Sequence, residues 1–242
     1  MLDIFIKTKL GKFSLEVNTS ITKGITAFYG PSGSGKTSVI SIVSGLIRAK
    51  EDRIVIQGKV VSDTNKKIFY PAYKRKIGYV FQDARLFPHL NVLNNLKFGS
   101  WFLKKKLTNN HINSIIDLLD LQALIKRKTY NLSGGEKQRI AIGRALLMQP
   151  QVLLMDEPLS SLDPDLKSDL IPYIVKLNKE LSIPIIYVTH SLNEVLQLSQ
   201  NIAIFKNGQI IKVLKTNEYF TESIKINSKS NKLNNIILGE IN

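Results

Sequence analysis

The sequence contains no cysteine. That rules out a disulfide framework, a thiolate metal centre and a cysteine nucleophile, and it fits a reducing compartment, with the cytoplasm as the expectation. Long apolar runs are missing too. Nothing approaches the roughly 20 residues of a membrane-spanning helix. Residues 1–20 alternate short apolar and polar stretches, without the basic, apolar and small-residue segments of a signal peptide. Acidic residues are few, 19 against 34 lysines and arginines, which leaves a formal charge of +15. A polyanion such as nucleic acid or an anionic membrane would gain from that balance. Aromatic residues make up only 8% of the chain. The basic clusters at 7–12, 74–76, 104–106, 126–128 and 225–232 therefore lack interleaved stacking partners. Nucleic acid is not an expected partner; a general lysine-rich surface that adheres at most to anionic headgroups is.

One stretch orders the rest. Gly30-Pro31-Ser32-Gly33-Ser34-Gly35-Lys36-Thr37 fits the phosphate-binding pattern G-x-x-x-x-G-K-[ST]. An apolar run at 25–29 enters it as a buried strand, and residues 38–46 leave it as a helix that Ser38 begins. The glycines free the backbone for turns in which successive N–H groups point inward at phosphates, near the positive end of the helix. Lys36 would then reach the β- and γ-phosphates of a nucleotide, and the Thr37 hydroxyl would sit on Mg²⁺. A glycine-rich turn that merely joined strand to helix would leave Lys36 without an anion to hold.

The 242 residues suit one α/β domain, or a core with a smaller lobe. Residues 2–6 and 13–17 alternate apolar and polar positions and read as a half-buried hairpin at a sheet edge. A second β pair, 53–57 and 59–61, turns at Gly58, and 77–81 is a short strand ending at Gln82. Residues 83–148 are helical in character: Ile112, Ile115, Ile116 and Leu119 stand at i, i+3, i+4 and i+7, one buried face. Strand and helix alternate again afterwards, with strands at 151–155 and 184–189 around a helix at 164–181 started by Asp163 and Pro164. Asn207-Gly208 is a favoured hairpin turn between 202–205 and 209–213. The Asn/Lys/Ser-rich stretch 227–235 reads as a flexible link.

Leu132-Ser133-Gly134-Gly135-Glu136-Lys137-Gln138-Arg139 reads locally as a capping box opening an amphipathic helix. As a string it reproduces the signature of ABC-type ATPases, which the chain resembles over residues 1–220. Val152-Leu153-Leu154-Met155-Asp156-Glu157, Ser160-Ser161-Leu162-Asp163 and Val188-Thr189-His190 resemble further motifs of that family, in the same order. The resemblance implies an α/β P-loop NTPase with a RecA-like core, an antiparallel β subdomain and a helical subdomain at about 84–148. It implies ATP and Mg²⁺ as cofactors. Gly30, Pro31, Ser32, Gly33, Ser34, Gly35, Lys36, Thr37 and Ser38 would surround the nucleotide phosphates, and Thr37, Gln82 and Asp156 would attend the metal. Glu157 would be the general base, with His190 orienting the attacking water and Gln82 coupling the site to the helical lobe. Ser133, Gly134, Gly135 and Asp163 would complete the site from the second subunit of a homodimer. Where many relatives stack adenine on an aromatic residue this chain has Leu10 and Gly11, which implies looser base discrimination, with GTP tolerated. Phe13 is the alternative stacking ring, but its alternation with Leu15 and Val17 reads as core packing.

Residues 79–90, 169–173 and 187–194 resemble, within that family, the ATPases of molybdate importers. The resemblance implies peripheral association with an integral permease dimer at the cytoplasmic face of the inner membrane, and indirect service to a periplasmic oxyanion-binding protein. Tungstate, sulfate or another anion, an exporter, and a soluble non-transport ABC ATPase are the alternatives. Leu86, Phe87 and Leu90 are either a permease-facing surface or helical-lobe core. Residues 221–242 read as an extension leading into a regulatory domain that the sequence does not include. Feedback inhibition by the oxyanion is accordingly not expected, and the last fifteen or so residues should be poorly ordered.

Overall fold

The computed structural model describes residues 1–102, 107–219 and 221. Apart from Thr221, the extension at 221–242, with the link at 227–235 and the basic cluster at 225–232, lies outside the described residues, as does the basic cluster at 104–106.

The described strands form a single sheet whose two halves differ in direction. Its parallel half contains β3 (Gly24–Tyr29), β7 (Ile77–Val80), β8 (Val152–Asp156), β9 (Pro184–Thr189) and β10 (Asn201–Lys206), ordered β10-β3-β9-β8-β7. Strands β8 and β9 are buried along their whole length, the pattern of strands covered on both faces. Their residues alternate between two cores. Leu153, Met155, Ile185 and Tyr187 join one, while Val152, Leu154, Ile186 and Val188 join the other, as a side-chain period of two requires.

The antiparallel half is ordered β6-β5-β4-β1-β2, from β1 (Leu2–Leu10), β2 (Phe13–Ile21), β4 (Glu51–Ile56), β5 (Lys59–Asp63) and β6 (Ile68–Phe69). β11 (Gln209–Lys215) joins the halves: it runs antiparallel to β10 and touches β2 through the single pair Gln209 and Glu16. The hairpin β1–β2 is thus not at an edge. β4 occupies its free side along six residue pairs and β11 the other. Alternation reports that one face is buried, and says nothing of whether the hydrogen-bonding edges are taken.

Helix α1 (Lys36–Ser44) packs between β8 and the antiparallel half, in the second of the two cores. The first core is covered by α2 (Val92–Lys97), α3 (Asn109–Leu118), α4 (Gly134–Leu147), α5 (Pro164–Glu180) and α6 (Leu192–Leu198). Ile112, Ile115, Ile116 and Leu119 are all buried there, as their spacing predicts. Leu86 packs against the same core, and Phe87 stacks 4.0 Å from Phe98 with the Arg144 guanidinium 5.5 Å away, so both are engaged within the helical lobe. Among the described residues no helix is long and apolar enough to cross a membrane.

One buried cation anchors the helix that leaves the phosphate loop. Arg75 is 1% exposed; its Nη1 donates to the Ile42 and Val43 carbonyls at 2.9 and 2.8 Å, and its Nε to the Tyr70 carbonyl at 2.6 Å. The last carbonyls of a helix lack intrahelical donors and carry its negative end, and Arg75 supplies both donor and charge. Burial pushes its pKa down to about 10, opposed by Asp52, which leaves it cationic at neutral pH.

Candidate active site

The phosphate loop leaves β3 at Tyr29 and enters α1 through Gly35, whose φ of 101° lies in the left-handed region. A Cβ at Gly35 would stand 2.8 Å from Leu15 Cδ1 and 3.1 Å from Phe13 Cε1, so glycine is required twice over. Lys36 is 4% exposed and turned back on its own loop. Its ammonium donates to the Gly30 and Pro31 carbonyls at 2.8 Å each and to Ser34 Oγ at 3.3 Å. Burial lowers its pKa, and the nearby Glu157 and Asp156 carboxylates act against that.

The loop is held from behind by the Asn207-Gly208 turn. Gly208 N–H donates to the Ser34 carbonyl at 3.1 Å, and the Gly208 carbonyl accepts from Glu16 N–H at 2.9 Å. A Cβ on Gly208 would overlap the Ser14 carbonyl. In the sequence this dipeptide signals only a hairpin; its second role depends on β11 lying beside β2, which no local pattern encodes.

A cavity of about 330 Å³ opens over the loop, with residues 32, 33 and 35–38 as its floor, Leu10 and Phe13 on one wall and Glu157 on the other. Phe13 is only half-buried and belongs to that wall as well as to the core behind it. The core packing expected of it is present, and its remaining surface faces the cavity. As the first residue of β2, beside the Gly11 turn, it stands where the hairpin overhangs the loop.

Two contacts join the loop to the neighbouring strands. Thr37 Oγ1 donates to Asp156 Oδ1 at 2.8 Å, and Tyr79 OH donates to Asp156 Oδ2 at 3.1 Å. Burial raises the Asp156 pKa, the bonds from Thr37 and Tyr79 lower it, Glu157 raises it and Lys36 lowers it. Burial, then the Asp156 charge, pushes the Tyr79 phenol up, so Tyr79 stays a donor. Among the described residues no group of three or more His, Cys, Asp or Glu side chains could cage a metal. The hydroxyl and carboxylate of Thr37 and Asp156 are the sparse hard-oxygen set that suits Mg²⁺, which takes one or two carboxylates and otherwise phosphates and water.

Glu157 follows β8 with φ at 45°, a conformation uncommon outside glycine, which turns its side chain over the end of the strand. Its N–H donates to the Val188 carbonyl at 3.1 Å, and its Oε2 lies 3.1 Å from His190 Nδ1. An ionised carboxylate has no proton to give, so this contact requires the proton on Nδ1. Nε2 then faces outward, and the His190 side chain is half exposed.

Other sequence-predicted residues stand apart. Gln82 lies two residues beyond β7, whose Val80 pairs with Met155, but it is exposed and lines a different cleft of about 490 Å³ with Gly134, Lys137 and Ser161. Ser133 caps α4 in a complete capping box: Ser133 N–H donates to Glu136 Oε2 at 2.7 Å, and Glu136 N–H to Ser133 Oγ at 3.2 Å. Asp163 caps α5 by accepting from Leu166 N–H at 2.9 Å. Ser133, Gly134, Gly135 and Asp163 do not line the cavity over the phosphate loop.

The sequence profile of the ABC transporter family matches residues 14–160. Among curated relatives, the molybdenum import ATP-binding protein of Rhizobium etli is 48% identical over 84% of this chain and 58% of its own length. Its Haemophilus influenzae counterpart is 49% identical over 86% of this chain and 58% of its own. The chain thus spans under two thirds of these relatives. Among solved structures, cbiO1 of Clostridium perfringens, part of an ABC transporter complex, matches with TM-score 0.76 and 27% identity over 97% of this chain and 96% of that one. A dimeric ATP-binding cassette in a post-hydrolysis state with ADP and phosphate matches with TM-score 0.72 and 26% identity, over 89% of this chain and 99% of that one. The α/β fold is therefore that of an ABC cassette.

Proposed function

Since the chain belongs to the ABC transporter family, we propose that it is the ATP-hydrolysing subunit of an importer that takes up an oxyanion, molybdate first among candidates. The observation that carries the ATPase reading is the Glu157–His190 pair, 3.1 Å apart, beside a phosphate loop whose lysine is buried. The reaction is ATP + H₂O to ADP + phosphate. The loop amides and Lys36 bind the β- and γ-phosphates, with Lys36 exchanging the Gly30 and Pro31 carbonyls for phosphate oxygens. Thr37 and Asp156 would hold Mg²⁺, which would supply charge neutralisation at the phosphates. Glu157 takes the proton of the attacking water, and His190, tied to Glu157 through Nδ1, turns Nε2 to the reaction centre, where the neutral ring accepts from the water and the doubly protonated ring donates to the γ-phosphate.

The site is completed in a head-to-tail homodimer, in which Ser133, Gly134 and Gly135 of the partner present the N-terminus of α4 to the γ-phosphate, with Asp163 beside them. Gln82, at the start of the cleft shared with Gly134, reports site occupancy to the helical lobe. The working assembly is this dimer on a permease dimer at the cytoplasmic face of the inner membrane, fed by a periplasmic oxyanion-binding protein. The substrate reading rests on relatives that carry molybdenum import in their names.

The test is ATPase activity of the chain assembled with its co-purifying membrane protein and a binding protein loaded with molybdate, tungstate, sulfate or nothing. Stimulation by molybdate or tungstate alone supports the proposal. Stimulation by a different ligand keeps the ATPase and removes the substrate; no co-purifying membrane protein removes the importer.

A further inference from the structure

Behind His190 lies a buried carboxylate that the proposed hydrolysis does not use. Glu194, in α6, is 6% exposed, and its Oε2 accepts from Tyr187 OH at 3.0 Å and from Thr189 Oγ1 at 2.7 Å. Tyr187 and Thr189 are themselves buried. The charged groups facing Glu194 are few: Lys167 of α5 stands 4.0 Å from Oε1, at the limit of an ion pair. A carboxylate in such a place is a poor way to fill space. An apolar side chain of the same volume would avoid the desolvation, and removing a buried charge in favour of good packing is often neutral or stabilising. What the carboxylate adds is direction.

That direction ends on His190. Glu194 can only accept, so the Thr189 hydroxyl must spend its one proton on it, leaving lone pairs free. One of these accepts Ser191 N–H at 3.0 Å. The hydroxyl of the residue before His190 is thereby bonded to the amide of the residue after it, closing the backbone around the histidine. Ser191 Oγ in turn accepts Glu194 N–H at 3.4 Å, tying the same turn to the start of α6. The other member of the pair is tied to this stretch as well, since Glu157 N–H donates to the Val188 carbonyl.

We propose that Glu194, acting through Thr189, is a positioning residue that fixes the His190 imidazole against Glu157. The proposal rests on the ATPase reading given above for its effect on turnover, and on geometry alone for its effect on the ring. Glu194 does not line the cavity over the phosphate loop.

The experiment uses the full chain with ¹⁵N-labelled histidine. There are three histidines, so the His190 ring signals are assigned by replacing His89 and His111. Thr189→Val keeps the shape and removes the hydroxyl. It should move the His190 ring signals and lower kcat for ATP about tenfold while KM changes less than twofold; Thr189→Ser should restore both. Glu194→Gln, which retains an acceptor but not the charge, should move the same signals less and serves if Thr189→Val does not fold. Ring signals and kcat at wild-type values in the variants overturn the proposal, as does a loss of thermal stability with the ring signals unmoved. If the wild-type chain does not hydrolyse ATP, the ATPase reading falls. The ring signals then decide the positioning claim by themselves, and unmoved signals in both variants overturn it.

Discussion

At the phosphate loop the polar groups already answer one another, whereas at Ser133 they stand on an exposed helix start. Lys36 has three acceptors within its own chain, and Thr37 and Asp156 share a proton between strand and helix. The signature serine is held by its own helix turn, through Glu136 and the Lys137 N–H three and four positions on, with Arg127 3.9 Å from Glu136 beside it. The loop is fixed by a sheet buried on both faces, so a nucleotide must displace bonds that are already made. The signature is fixed by its own turn and by Leu162, Leu166 and Leu170 beside its glycines, and it leaves the Ser133 side exposed. One end is built by the fold and the other needs a second surface to act, which is why substitutions at the two ends should separate stability from turnover in opposite ways.

The largest expected effect belongs to the carboxylate at the fixed end. Glu157→Gln should lower kcat by about 10³-fold, within the range for removing a general base, while ATP still binds and holds the dimer closed. Turnover with sedimentation in ATP measures both; near wild-type turnover would sink Glu157 as the base. The signature end is next. Aspartate caps helices as well as serine does, so Ser133→Asp should leave urea stability within about 0.5 kcal/mol of wild type. It should nonetheless cut ATP-dependent dimerisation and turnover by about a hundredfold, because a carboxylate would then face the γ-phosphate. If turnover survives, Ser133 is a cap and nothing more, and the contrast between the two ends disappears.

The third effect returns to the fixed end. Arg75→Met strips the Val43 carbonyl of its side-chain donor and leaves the Ile42 carbonyl only the Gly45 N–H, and it should destabilise the fold by roughly 3 kcal/mol, the scale for a buried, charge-assisted set of hydrogen bonds. Urea unfolding reads it. A loss below about 0.5 kcal/mol would mean that the phosphate-loop helix does not depend on this anchor. Asp156 should behave in the other direction. Burial raises its pKa in the folded chain, so its protonated form favours folding below the ordinary carboxylate range, and that advantage is lost as pH rises through the raised value. Asp156→Asn removes this dependence. The variant should be at least as stable as wild type at neutral pH, with its margin shrinking on acidification, yet fail to bind nucleotide in a Mg²⁺-dependent way. A variant that is less stable than wild type at neutral pH would show that the carboxylate is well paired.

Much of this was legible in the sequence where function depends on local pattern. The phosphate loop, the capping box at Ser133 and Glu136, the Asp163 cap and the buried face of Ile112 to Leu119 all rest on spacings of a few residues, which a linear reading captures. Features that depend on strand order were not. The β1–β2 hairpin lies inside the sheet because β4 and β11 flank it, and no alternation pattern reveals a paired edge. The same placement of β11 makes Gly208 a support of the phosphate loop. Thr189 and Glu194 could have been suspected from polar residues flanking His190, but only burial shows that Glu194 turns inward. Gln82 and Glu157 follow neighbouring strands yet line different cavities, a divergence that arises in the turns after β7 and β8.

The smallest effect concerns the nucleotide base, where the two residues that share one wall of the loop cavity differ from each other. Leu10 offers an aliphatic surface and Phe13 a ring whose edge lies against the position of Gly35. A half-buried ring committed partly to the core gives a base little face to stack on, and stacking of a base on an aromatic side chain is worth about 1–3 kcal/mol. Competition between ATP and GTP should therefore show weak discrimination in the wild-type chain. Leu10→Tyr should add a full ring to the open wall and tighten binding of both purines, ATP by a few-fold more than GTP. Phe13→Leu should change the ratio by less than about twofold, since it removes an edge and not a platform. If Phe13→Leu instead erases a strong preference for ATP, the ring is the base platform, and the looseness inferred from Leu10 is wrong.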